Sequence, residues 1–174
     1  AASSGVDGVL ALDLPIEEAG EFRDTLASSG LDTIFLLSQT TSDARIKKVL
    51  MAHGAQEPLS GVKVSDLKKI QKRVKVDHLL ALELFETGHY DAMYLAGLIA
   101  DDKLMTKKDL ERWSRTAYAG IAEYTLPWVA AQGRFGWEMG LAWCASKKET
   151  VAFAGWMTLS CVVALTPDDA LNMK

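Results

Sequence analysis

Between His89 and Trp113 the chain reads HYDAMYLAGLIADDKLMTKKDLERW, and this stretch constrains the fold more than any other. Tyr90, Met93, Tyr94, Gly97 and Leu98 recur at intervals of three and four, which is the spacing of one apolar helix face. Asp101 and Asp102 close that helix. Thr106, with Asp109 three residues on, opens a second as a capping box, and Leu110 and Trp113 begin its apolar face. Two helices joined by so few residues lie antiparallel, each needing a further apolar layer to cover it.

The same rhythm continues. Helices are expected at about 65–74, 77–87, 89–101, 106–118, 120–132, 135–146 and 148–164, with another starting at Pro167. Short connections throughout point to stacked helix pairs of the HEAT type, with one concave face.

Residues 1–49 read differently. Val9 to Leu14 (VLALDL) and Thr33 to Leu37 (TIFLL) are short apolar runs, the pattern of strands buried on both faces. Between them Glu17 to Ser28 forms a helix with acids in its first turn and Gly30 just past its end. Ser42 and Asp43 cap the next helix. The order strand, helix, strand, helix implies parallel strands with a right-handed crossover. The expected fold is therefore mostly α, with a βαβ(α) unit at 1–49 preceding HEAT-like antiparallel helices at 50–174. A lone pair of strands is marginal in water and leaves open edges, so a homodimer joined through residues 9–37 is expected.

Charge separates the two parts as well. Residues 1–49 carry eight acids and four bases, and residues 50–174 carry fifteen of each. The net charge of −4 gives no support for broad nucleic-acid binding, so any such role must rest on local clusters. Lys63, Lys68, Lys69, Lys72, Arg73 and Lys75 form the richest, with Lys68, Lys72 and Lys75 on one helical stripe that can neutralise phosphates or simply face solvent. Lys107, Lys108, Arg112 and Arg115 form a second, half offset by Asp109 and Glu111. Cys144 and Cys161 make no CxxC and read as two thiols in a reducing compartment. His53, His78 and His89 have no metal-ligand spacing, so no metal or other cofactor is expected. No apolar run reaches the roughly 18 residues of a membrane helix, and AASSGVDG has no basic signal segment. A cytoplasmic location without a membrane partner is the expectation.

Several stretches carry resemblances. HGAQEPLSGVKVSDLKKI (53–70), HLLALELFETGHYDA (78–92), YLAGLIADDKLMTKKDLERW (94–113) and FGWEMGLAWCASKKETVAFAGW (135–156) resemble the DNA alkylation repair family of alkylpurine DNA glycosylases. GVDGVLALDLPIEEAGEFRDTLASSGLDTIFLLSQTTSDARIKKV (5–49) resembles the fourth and fifth βα units of the tryptophan synthase alpha subunit, a TIM barrel. The two resemblances join inside one helix, SDARIKKVLMAHG. Neither the catalytic carboxylates nor the phosphate-binding glycines of the barrel enzyme fall within this segment, so that enzyme's activity is not expected. Asp13, at the end of a barrel-type strand, is a loop or cap residue if it acts alone.

The repair-family resemblance implies duplex DNA as partner and hydrolysis of the N-glycosidic bond of alkylpurines. The family places a carboxylate and aromatic rings on the concave face, where the carboxylate stabilises the oxocarbenium character developing on the sugar. Aligned by its flanks, AYAGIAEYTLPW puts Glu123 at the carboxylate and Tyr118 at one aromatic position. Ala119 stands where the second aromatic belongs, and Ala152 and Phe153 stand where family members often carry two arginines. The resemblance thus implies weak DNA binding and residual glycosidic hydrolysis. The alternative is a chimeric or interaction scaffold without catalysis or a nucleic-acid role.

Overall fold

The computed structural model describes residues 5–11, 19–35 and 41–171. The chain opens with strand β1 (Gly8–Ala11), helix α1 (Gly20–Ser28) and strand β2 (Asp32–Phe35). The strands pair in parallel, Gly8 opposite Asp32 through Ala11 opposite Phe35. Gly30 takes φ +69° just past α1, the left-handed turn that only glycine adopts without cost. The expectation of strands buried on both faces fails. Leu10 and Ile34 are register partners on one face of the sheet, and they are 48% and 45% exposed. A barrel strand is covered by neighbouring strands and outer helices, whereas among the described residues this two-stranded sheet has α1 against β2 as its main helix packing. Asp13 lies outside the described residues, as do the others of residues 12–18.

Helix α2 (Asp43–Ala52) is capped by Ser42, whose hydroxyl accepts from the Arg45 N–H. It runs unbroken across residue 49, so the expected boundary between the two segments falls inside a helix. Everything after it is helical: α3 (Val64–Val74), α4 (His78–Glu86), α5 (Tyr90–Ile99), α6 (Lys107–Thr116), a π turn (Ile121–Thr125) continuing as α7 (Leu126–Gln132), α8 (Gly136–Cys144) and α9 (Glu149–Leu165). At Pro167, where a further helix was expected, the described residues hold one 3₁₀ turn, Asp168–Ala170.

The capping box forms as the sequence implies. The Thr106 hydroxyl accepts from the Asp109 N–H, and the Asp109 carboxylate accepts from the Thr106 N–H. The helix expected over 120–132 is wound in two ways, for a reason visible in its sequence. Pro127 has no N–H to donate, and its ring crowds the carbonyl four residues back, which belongs to Glu123. The chain widens into a π turn across that point, a common answer to a misfit in the hydrogen-bond ladder.

The helices form two layers. α3, α5, the π turn with α7, and α9 lie side by side. Gln71 of α3 donates to the Leu98 carbonyl of α5 at 2.9 Å, and Trp128 of α7 donates to the Gly97 carbonyl at 3.4 Å. α4, α6 and α8 form the other layer: Phe85 stacks flat on Trp113 with ring centres 3.9 Å apart, and Lys107 bridges to Glu138. The core between the layers is built from Phe85, Met93, Ile99, Leu110, Trp113, Ile121 and Leu126, all essentially inaccessible. Asp91 fastens the loop before α3 onto α5, accepting from the backbone N–H groups of Ser60 (2.7 Å), Gly61 (3.3 Å) and Val62 (2.9 Å).

Candidate nucleic-acid interface

Glu123 sits on the π turn, in the layer that contains α3, α5 and α9. The chain enters that turn through Ala119, whose φ of +42° is rare for a residue with a side chain. Such strain persists where the surroundings impose it, and it is concentrated at functional sites. The Glu123 side chain is half-buried and has no hydrogen-bond or ion-pair partner among the described residues. It borders two hollows. One, of about 290 Å³, is lined by Leu50, His53, Tyr90, Tyr94 and Tyr124. The other, of about 280 Å³, is lined by Glu149, Thr150 and Phe153 of α9. A carboxylate standing between an aromatic hollow and an exposed phenylalanine can face a cationic or sugar-like group while flat surfaces hold the adjoining rings.

Tyr90 feels that carboxylate. Its hydroxyl pKa is pushed up to about 12, first by burial and then by the negative charge of Glu123. It therefore stays a neutral hydrogen-bond donor beside the acid. Tyr118 has another position. Its hydroxyl donates to the carbonyls of Gln56 (3.2 Å) and Gly88 (3.3 Å), and its ring tilts against Tyr90 at 5.9 Å. Burial, and then the charges of Asp91 and Glu57, raise its pKa. Tyr118 braces two loops, and neither hollow beside Glu123 includes it among its lining residues. The aromatic residues lining the first hollow are Tyr90 and Tyr94, one helical turn apart, with the exposed Tyr124. In the sequence nothing separates Tyr90 and Tyr94 from the apolar stripe of α5. His53, at the end of α2, belongs to the same lining and carried no sequence signal.

The two basic groups part company. On α3, Lys68, Lys72 and Arg73 are exposed and have no ion pair among the described residues, Lys69 is held by Asp66 at 2.6 Å, and Lys63 precedes the first turn. The second group lies on α6, in the other layer, and is largely neutralised. Arg112 bridges to Glu86 at 2.9 Å and Asp109 at 3.8 Å, and Lys107 to Glu138 at 2.6 Å, leaving Lys108 exposed. Only the α3 group shares a layer with Glu123. Among the described residues no cluster of three His, Cys, Asp or Glu could hold a metal ion, and no helix is long and apolar enough to cross a membrane.

Comparison with known proteins divides the chain as its two textures do. Residues 1–56 match the family model for the tryptophan synthase alpha chain. The alpha chain of Geotalea daltonii is 44% identical over 89 residues, covering 42% of this chain and 33% of that protein. That of Geobacter sulfurreducens is 55% identical over 49 residues, covering 28% and 19%. The chain thus spans a third or less of these curated relatives. A solved structure superposes with a TM-score of 0.71 at 29% identity, over 91% of this chain and 62% of that one. It is described as belonging to a new family of proteins related to the HEAT-like repeat DNA glycosylases, with affinity for branched DNA structures. The fold is HEAT-like accordingly. The family model for the DNA alkylation repair enzyme matches residues 36–128, over half of the sequence, from α2 through the π turn that carries Glu123, and the chain belongs to that family.

Proposed function

We propose that this protein binds DNA through the layer formed by α3, α5, the π turn and α9, and that distorted or branched DNA is preferred over plain duplex. The observation that carries this reading is Glu123, an unpaired carboxylate beside a tyrosine-lined hollow, in the same layer as the unpaired Lys68, Lys72 and Arg73. Phosphates on the α3 stripe would supply affinity, and the hollow would receive a base or sugar that branching has freed from the stack. The solved relative's affinity for branched DNA supports the preference. Fluorescence anisotropy with a four-way junction and a duplex of equal length tests it. The junction should bind several-fold more tightly, and equal affinity for both refutes the preference.

Any glycosidic hydrolysis of alkylpurines would rest on Glu123. Removal of 7-methylguanine should be slow, because Ala152 and Phe153 leave no arginines on that stretch of α9. Glu123→Gln should abolish what activity there is, and turnover that survives it would show that another group does the chemistry. Tyr118 would act by holding the floor of the site in place.

A scaffold without a nucleic-acid role is the second reading, favoured by the neutralised α6 group. It predicts no salt-sensitive DNA affinity at all. On either reading, residues 1–49 and 50–174 are two inheritances joined in α2. A homodimer through residues 9–37 would rest on Leu10 and Ile34 on the open sheet face, and light scattering of Ile34→Lys tests it.

A further inference from the structure

The tyrosine-lined hollow sets a hydrogen-bond donor and an acceptor side by side. Its walls come from the end of α2, from α5 and from residues 119–124, and none from α9. A side-chain carbon built on Gly120 would meet the Tyr90 hydroxyl oxygen at 2.5 Å, so that hydroxyl fills the place of a side chain at position 120. Glu123, three residues on, projects from the same face of the turn, and the roots of two such neighbours stand about 5–6 Å apart. The charge of Glu123 is felt by Tyr90 accordingly. Neither polar group is committed elsewhere: among the described residues the Glu123 carboxylate and the Tyr90 hydroxyl have no hydrogen-bond partner. With its pKa raised to about 12, Tyr90 keeps its proton and can donate it to a ligand, while the carboxylate accepts.

Such a pair selects among ligands by chemistry. A lysine or arginine side chain has donors only, and would leave the Tyr90 hydroxyl facing another donor. A phosphate is repelled by the carboxylate. A nucleobase edge presents donors and acceptors in a fixed row, and bases freed from the stack are read along that edge while aromatic rings hold their faces. Guanine offers the N1 and N2 donors next to the O6 acceptor, a row that meets a carboxylate and then a hydroxyl. Adenine and cytosine set one donor beside a ring nitrogen that a carboxylate repels, and thymine sets its one donor between two acceptors. Two charge-assisted bonds to one carboxylate therefore single out guanine. Size and walls agree. At about 290 Å³ the hollow falls just under the roughly 300–1,000 Å³ of sites for drug-sized ligands, which suits one flat base. Tyr94, fixed edge-on against Trp128 with ring centres 5.3 Å apart, and the exposed Tyr124 supply the flat surfaces.

Resting on the DNA-binding reading above, we propose that this hollow holds a single unpaired guanine, with Glu123 accepting from its N1 and N2 groups and the Tyr90 hydroxyl donating to O6. Glu123 and Tyr90 then set which base is held, and the α3 stripe sets affinity for DNA at large. Fluorescence anisotropy of the full chain with duplexes that differ in one bulged nucleotide tests this. Bulged guanine should bind about ten-fold more tightly than adenine, cytosine or thymine, the discrimination of one good bidentate contact. Hypoxanthine, which lacks the N2 amine, should lose most of that margin, and 7-deazaguanine, which keeps the Watson–Crick edge, should retain it. Glu123→Gln with its helical circular dichroism intact should level the series, and should that variant lose its fold, the base series on the wild type still decides. Equal binding of every bulge overturns the guanine assignment and leaves the DNA-binding layer standing, whereas no binding of any DNA overturns both. A margin that survives hypoxanthine, falls with 7-deazaguanine or persists in the folded Gln variant would place the recognition on other groups and overturn the proposal.

Discussion

Gly155→Ala isolates the contact that sets the last helix pair. In an exposed helix interior the change would help, by about 1 kcal/mol, because alanine loses less backbone freedom than glycine. Here the added carbon would lie 2.5 Å from the Cys144 nitrogen and 2.9 Å from both the Gly140 oxygen and the Trp143 carbonyl carbon. All three are backbone atoms, so no side-chain rotation relieves the overlap. Restoring ordinary contact moves α9 from α8 by about 1 Å, and a gap of that size forfeits a quarter to a half of the dispersion across the surfaces it parts. Overpacking of this kind costs about 1–3 kcal/mol, and backbone against backbone falls at or beyond the upper end. Net of the helix-propensity gain, the variant should lose roughly 2–3 kcal/mol. For a chain of this size that lowers the melting temperature by about 4–12 °C. Urea denaturation followed by circular dichroism and thermal melts measure both quantities. A variant as stable as wild type, or more so, would show that the helices do not approach as closely as described.

Two other consequences can be measured. Asp91→Ala leaves three backbone N–H groups of the Ser60–Val62 loop without their carboxylate, and should cost about 3–5 kcal/mol in a urea titration, softened where water reaches the exposed Ser60. Tyr90, its pKa raised to about 12, keeps in the folded state a proton that the unfolded chain releases near 10. The stability linked to it is complete below pH 10 and is lost as pH rises from about 10 to 12, amounting to no more than ~2.7 kcal/mol. Tyr94 and Tyr118 are raised as well, so ultraviolet titration should show several late tyrosines, with the portion near pH 12 lost in Tyr90→Phe; a curve unchanged by that substitution would contradict the burial of Tyr90 against Glu123.

Periodicity alone was enough to locate most of this fold. Tyr90, Met93 and Gly97 do line the inner face of α5, and Thr106 and Asp109 close the box that the spacing implied. These are local patterns, and local geometry decides them. Apolar runs such as those of the N-terminal strands encode the neighbours of a whole barrel, and among the described residues Leu10 and Ile34 stay about half exposed. The π turn at Glu123 was written in Pro127, but a proline inside an apolar run also fits an ordinary first turn, and α7 does begin beside it. Of the candidate site, Glu123 stands out in the sequence and the walls of the hollow beside it do not. His53, Tyr90 and Phe153 come from α2, α5 and α9, and sequence spacing says nothing of residues brought together across three helices. The two basic groups looked alike as strings. Their difference lies in Glu86 and Glu138, distant acids that neutralise only the second.

The most direct test of the DNA-binding account is the salt dependence of four-way junction binding, wild type against Lys68→Glu with Lys72→Glu. If both lysines sit on phosphates, the slope of log affinity against log salt should fall in magnitude by about two, with weaker binding at every salt concentration. A slope and affinity unchanged by the double reversal, or no binding by the wild type at low salt, would contradict the claim that the α3 layer is the DNA-binding face.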